Sequence, residues 1–152
     1  NINTADQIVI SGDKIAVARA MDLASARGAK KTIPLPVSGA FHSSLMREAE
    51  AGLADEVQSL HFNEPKRPVV GNCTSKSLTT AVEIRHELVN GICQCVLWKD
   101  SVRHIVDSGV TQFVEFGSGG VLAGLIKRID RGVKVTTVSD TASMRKLAGI
   151  ES

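Results

Sequence analysis

Aromatic side chains are scarce: they form 3% of the 152 residues, and tyrosine is absent. Any core must therefore be aliphatic. Charge of one sign is not in excess either. Lys and Arg number 18 against 16 Asp and Glu, a net charge of +2, which argues against a strongly electrostatic nucleic-acid binder. Long apolar runs are missing: none approaches the ~20 residues that cross a bilayer, so no membrane partner is expected. Cysteine is rare. Cys73, Cys93 and Cys95 are odd in number and fit no zinc spacing, so no metal is expected. They read as reduced thiols in a cytoplasmic protein. Apolar residues, by contrast, reach 43%. The length suits one ordinary domain, or a small domain plus part of another.

Helical and extended patterns alternate along the chain. Residues 7–11 form a short β-branched run, read as a strand. Gly12-Asp13 stops it, and Asp13 is placed to cap a helix that ends before Gly28. Residues 31–37 read as a second strand. A longer helical pattern runs from Met46 to about Leu60. Val69-Val70 is a short buried strand with Gly71-Asn72 as its turn. Helices follow at 81–90 and 98–106, then a strand at 112–116. Gly117 to Gly120 make a glycine-rich turn into a helix through Ile129. A strand at 134–138 and a short helix at 141–148 end the pattern. Strands alternating with helices indicate an α/β architecture.

The chain is organised around Ser38-Gly39-Ala40-Phe41-His42-Ser43-Ser44-Leu45-Met46. His42 sits between an expected strand and an expected helix start, which Ser43 or Ser44 is suited to cap. Imidazole titrates near neutral pH, so a histidine held at such a junction is a candidate acid–base group. A loop-bracing hydrogen bond is the plainer role.

Four stretches extend this pattern: Asn1-Ile2-Asn3-Thr4-Ala5-Asp6-Gln7-Ile8-Val9-Ile10-Ser11-Gly12, Leu35 to Met46, Val69 to Thr74, and Phe116 to Ile129. In order and spacing, the chain resembles the C-terminal part of the malonyl-CoA:acyl carrier protein transacylase family. Ala5 stands where the family pattern has proline. The resemblance implies an α/β fold. Residues 1–36 would be part of a ferredoxin-like small subdomain. Residues 37–152 would be the C-terminal part of a hydrolase-like, parallel-sheet acyltransferase domain. It further implies that the chain is a piece of a longer polypeptide.

The implied activity is transfer of a malonyl group from coenzyme A to the phosphopantetheine thiol of an acyl carrier protein. A serine nucleophile and a histidine base would act in a ping-pong sequence. Malonyl-CoA is the substrate, and no bound cofactor is implied. His42 matches the family base. No G-x-S-x-G elbow occurs in this chain, so the nucleophilic serine belongs to an N-terminal half, an expected partner alongside the carrier protein. The family orients its histidine by a backbone carbonyl, and Gly91 occupies that position where the pattern has glutamine. Cys95 replaces a proline nearby. Phe41 goes with malonyl selectivity, its bulk excluding an α-methyl group. Asn1 and Asn3 fall near the family's cleft, Asn3 as a substrate-lining residue.

Two other readings compete. One is a non-catalytic module that binds a carrier protein or partner chain. The other is a hydrolase on an α/β scaffold. The basic pairs Lys30-Lys31, Lys66-Arg67 and Lys127-Arg128 read as solvated surface. Gly117 to Gly120 read as a tight turn rather than a phosphate cradle, since both G-x-G-x-x-G and a P-loop lysine are missing.

Overall fold

Asp13 starts the first helix in the computed structural model, which describes residues 1–149. The last three residues of the expected 37–152 segment lie outside the described residues. The Asp13 carboxylate accepts the N–H groups of Ile15 (2.9 Å) and Ala16 (3.0 Å). Two orphan donors of helix α1, Lys14–Ala26, are thereby satisfied. None of the residues of α1 is buried.

The flanking stretches correct the sequence reading. Residues 7–11 contribute one antiparallel bridge, Ile2 with Ile8, and residues 31–37 join no ladder. A strand exists through its partner's N–H and C=O groups. Among the described residues no sheet runs alongside these segments. Their apolar side chains stay open to solvent: Ile8 is 66% exposed, Ile33 68% and Val37 71%.

Ser43 opens the next element. Its hydroxyl donates to the Ala40 carbonyl (2.6 Å) and accepts the Leu45 N–H (3.3 Å). A short 3-10 turn, Ser44–Met46, leads into α2, Arg47–Ser59. Val69–Val70 forms β1. Its antiparallel partner β2, Ser77–Leu78, has too little apolar pattern to be read from sequence. Helix α3, Ala81–Asn90, begins with a capping box. The Thr80 hydroxyl accepts the Glu83 N–H (3.2 Å), and the Glu83 carboxylate accepts the N–H groups of Thr79 (2.7 Å) and Thr80 (3.0 Å). Those backbone donors hold the Glu83 carboxyl below its ordinary range.

The rest is a right-sized α/β unit: α4 (Trp98–Asp107), β3 (Gln112–Phe116), α5 (Val121–Ile129), β4 (Lys134–Val138) and α6 (Thr141–Ala148). Strands β3 and β4 are parallel, with Gln112 opposite Lys134 and Phe116 opposite Val138. Helix α5 makes the crossover that a parallel pair requires. The core gathers Val102 from α4, Ile126 and Ile129 from α5, and Val133, with Trp98, Val106, Phe113 and Val135 packed against them. It is largely aliphatic, as the composition requires. Each fully buried branched side chain stabilises by about 1.5–3 kcal/mol. Arg103 ties α4 to the end of α5, donating to the Ile129 carbonyl (2.9 Å) and Asp130 (3.1 Å).

Candidate active site

His42 is half-buried and takes a left-handed backbone, φ 64. For a residue with a Cβ this costs roughly 1–2 kcal/mol. Hydrogen bonds from one loop hold it there. The His42 N–H donates to the Ile92 carbonyl at 2.7 Å. Its Nδ1 lies 2.8 Å from the Gly91 carbonyl oxygen and 3.1 Å from that of Gln94. Carbonyl oxygens only accept, so Nδ1 carries the hydrogen. The lone pair of the neutral ring then resides on Nε2. Nε2 makes no hydrogen bond among the described residues.

The accepting loop leaves the C-terminus of α3. Cys93 and Gln94 both donate their N–H groups to the Asn90 carbonyl (3.1 and 2.9 Å). This curl brings the carbonyls of residues 91, 92 and 94 to one point. Gly91 has φ −58, an ordinary helical value that any residue adopts. Glycine at a position where the related pattern has glutamine therefore leaves the carbonyl on target. The other end of the loop is pinned: Leu97 donates its N–H to the Asn72 carbonyl (2.7 Å), and Ile2 donates to Val96 (2.8 Å). Glu87 steadies the β1–β2 turn from α3, accepting from the Cys73 N–H (2.7 Å) and the Thr74 hydroxyl (3.3 Å).

Of the residues singled out in sequence, His42 and Gly91 meet directly. Asn3 is carried beside the same loop through Ile2, its own N–H donating to Gln7 at 3.0 Å, and its side chain makes no hydrogen bond to His42. The Asn1 side-chain oxygen is buried. Phe41 is 53% exposed. Its ring lies back over Gly39, where an added Cβ would stand 2.5 Å from Cε2 and 2.7 Å from Cδ2. The carbonyls of Ile92 and Gln94 were not legible in sequence, because backbone acceptors have no residue signature.

The glycine loop is a tight turn. Gly117, Gly119 and Gly120 have φ of 144, 99 and 64, values that favour glycine. The start of α5 already has an anion of its own. The Glu115 carboxylate accepts the N–H groups of Leu122 and Ala123, both at 3.0 Å, and the Thr137 hydroxyl at 3.3 Å. Those N–H groups, which a phosphate would need, are occupied.

The cysteines are free thiols. Burial, then the Glu87 charge, pushes the Cys73 thiol up to about 11. Desolvation and the Glu50 carboxylate also raise Cys93. Thiols so shifted stay protonated near neutral pH and make poor nucleophiles. Among the described residues no group of His, Cys, Asp and Glu side chains converges as a metal site, and no helix is long and apolar enough to cross a membrane.

No family model matches the chain. Individual proteins do. The chain is 38% identical over 140 residues to the malonyl CoA-acyl carrier protein transacylase of Bacillus subtilis (strain 168), covering 92% of this chain and 44% of the relative. The Staphylococcus aureus (strain COL) enzyme of the same name is 38% identical over 138 residues, covering 91% and 45%. The crystal structure of an acyl carrier protein S-malonyltransferase from Vibrio cholerae superposes with TM-score 0.85 at 38% identity, covering 90% of this chain and 44% of that one. The chain belongs to the malonyl CoA-acyl carrier protein transacylase family, whose C-terminal portion it represents. Its fold is that family's α/β acyltransferase fold in part. A type II PKS acyl-carrier protein in complex with its malonyl-transacylase is a further structural neighbour, with TM-score 0.85 and 41% identity over 91% of this chain and 45% of that one. The chain spans less than half the length of these transacylases.

Proposed function

We propose that the chain supplies the acid–base half of a malonyl-CoA:acyl carrier protein transacylase. The observation that carries this reading is the His42 imidazole, with Nδ1–H on the Gly91 and Gln94 carbonyls and its Nε2 lone pair free. A serine on the N-terminal half of the enzyme is the nucleophile. As its oxygen attacks the malonyl thioester, His42 Nε2 takes the hydroxyl proton. The C–S bond then breaks, and His42 returns the proton to the departing coenzyme A thiolate. The second half reverses these roles. His42 deprotonates the carrier's phosphopantetheine thiol, which attacks the malonyl-serine ester, and the proton goes back to serine. Gly91 acts through its carbonyl alone, keeping the ring in one tautomer and one direction. Phe41 and Asn3 are the substrate-lining residues in this reading.

Malonyl-CoA enters as substrate, and the chemistry needs no resident cofactor. The N-terminal half and the acyl carrier protein are the partners, and the setting is cytoplasmic. The neighbour solved with its carrier protein supports the second partner. In this reading residues 1–36 are part of the small subdomain, and residues 37–152 are part of the large one. The exposed Ile8, Ile33, Leu35, Val37 and Phe116 are then surface that the N-terminal half covers.

The test is reconstitution. The chain is mixed with a serine-bearing N-terminal portion and malonyl-CoA, and the proteins are weighed by denaturing mass spectrometry. A malonyl adduct on the serine portion, formed only when this chain is present, is the expected result. Carrier binding with no adduct under any condition would overturn the reading in favour of a non-catalytic module.

A further inference from the structure

Two of the three thiols meet at the loop that holds His42. The β1–β2 turn is pinned against the end of that loop. Leu97 donates its N–H to the Asn72 carbonyl (2.7 Å), and the Ser75 hydroxyl donates to the Leu97 carbonyl (3.2 Å). The Ser101 hydroxyl adds a buried bond to the Gly71 carbonyl (3.0 Å). Cys73 follows Asn72 directly, and Cys95 precedes Leu97 by two residues. After burial and the Glu87 carboxylate, the charge of Cys95 is what raises the Cys73 thiol, so the two side chains are neighbours. Cys95 is exposed, and only a weak contact from its Sγ to the Val96 carbonyl (3.7 Å) engages it. Cys93 lies elsewhere, beside Glu50 of α2.

Cys95 is joined to the imidazole through one peptide bond. The Gln94 carbonyl, 3.1 Å from His42 Nδ1, belongs to the peptide group that links Gln94 to Cys95. That group is planar and rigid, so a turn of the Cys95 backbone re-aims the carbonyl. We propose that Cys73 and Cys95 form a reversible disulfide that turns the Gln94 carbonyl away from His42 and slows acyl transfer. The effect on transfer rests on the transacylase reading of His42; the bridge and the response of the ring do not. The oxidant is a small disulfide of the glutathione class. The Cys95 thiolate attacks one of its sulfurs, forming a mixed disulfide and releasing one small thiol. Cys73 then loses its proton to water and attacks the Cys95 sulfur, and the second small thiol leaves. One protein S–S bond replaces two S–H bonds, and the oxidant is reduced to two thiols. To close the bridge, the Cys95 thiol leaves Val96 for the β1–β2 turn, and the Gln94–Cys95 peptide turns with it. Disulfides of this transient kind are the ones a reducing compartment allows.

Two experiments test it. The first needs no catalysis. The chain is treated with oxidised glutathione and weighed intact, and its peptides are mapped. It should lose two hydrogen atoms, with Cys73 joined to Cys95. Cys93→Ser should still form the bridge, whereas Cys73→Ser should stop at the mixed disulfide. The NMR signal of the His42 Nδ1 proton should move on oxidation and return with dithiothreitol. No bridge between these two residues, or a bridge that leaves the His42 signal in place, would overturn the proposal. The second uses the chain assembled with the serine-bearing portion. Bridging should slow malonyl transfer about tenfold or more, dithiothreitol should restore it, and Cys95→Ser should make transfer indifferent to the oxidant. Full transfer by the bridged enzyme would overturn the coupling to His42. Full transfer in His42→Ala would instead remove the reading of His42, and the slowed transfer with it, while the bridge would stand or fall by the first experiment.

Discussion

The two ends of the chain differ in how far their sequence signals become structure. Residues 31–37 hold three β-branched residues, Thr32, Ile33 and Val37, against Val114 alone in residues 112–116, yet only the latter form a strand. Strand β3 has β4 in parallel register beside it and α5 packed near it within the same chain. The earlier segment has no such neighbour, and its Ile33, Leu35 and Val37 stay exposed. Extended backbone is a shared property of two segments, whereas a helix closes its own hydrogen bonds. That is why α1 forms beside the same unpaired stretches and still buries none of its residues.

This contrast is open to measurement. Amide exchange should separate the regions most: protons at 114–116 and 136–138 should exchange on the order of a hundredfold or more slower than those of Ile33, Leu35 and Val37. Similar rates would mean that the C-terminal unit is no more stable than the rest. Substitution comes next. Ile126→Ala, in the buried core, should cost about 2–5 kcal/mol in a denaturant melt. Ile33→Ala, 68% exposed, should stay within about 0.5 kcal/mol in the chain alone. Adding the serine-bearing portion should make Ile33→Ala costly, and an unchanged value would show that the portion leaves this surface uncovered.

A smaller effect comes from the α3 capping box. Thr80→Ala should lower stability by about 0.5–2 kcal/mol. Glu83 has its folded carboxyl held below the unfolded value, so its contribution is present above the unfolded value, about 4.3, and is lost as pH falls through the lowered folded one. The penalty of Glu83→Gln should therefore shrink on acidification, and a pH-independent penalty would contradict the box. The smallest test uses alkylation. Cys95 is exposed, and Cys73, pushed up to about 11, should react later and gain rate as pH rises toward that value.

Much of the fold was legible in sequence. The cap at Asp13, the helices at 81–90 and 98–106, and the β3–α5–β4 unit follow from local pattern, whereas Ser43 caps only the 3-10 turn ahead of α2, which has no side-chain cap of its own. Two kinds of feature were not. Strands predicted at 7–11 and 31–37 depend on partners that local pattern does not contain. Strand β2 is two residues long and has no periodicity to read. The site divides in the same way. His42 was visible because its motif is made of side chains. The Ile92 and Gln94 carbonyls, which complete its support, belong to the curl after α3. The Glu115 carboxylate at the start of α5 was hidden too, since its role depends on where the glycine turn delivers two N–H groups.

The central claim is that this chain contributes the base. It is tested most directly by timing malonyl adduct formation on the serine-bearing portion, with the wild-type chain and with His42→Ala. The account predicts that His42→Ala slows acylation by about a hundredfold or more, while circular dichroism shows the fold retained. Acylation at the wild-type rate with His42→Ala would contradict it.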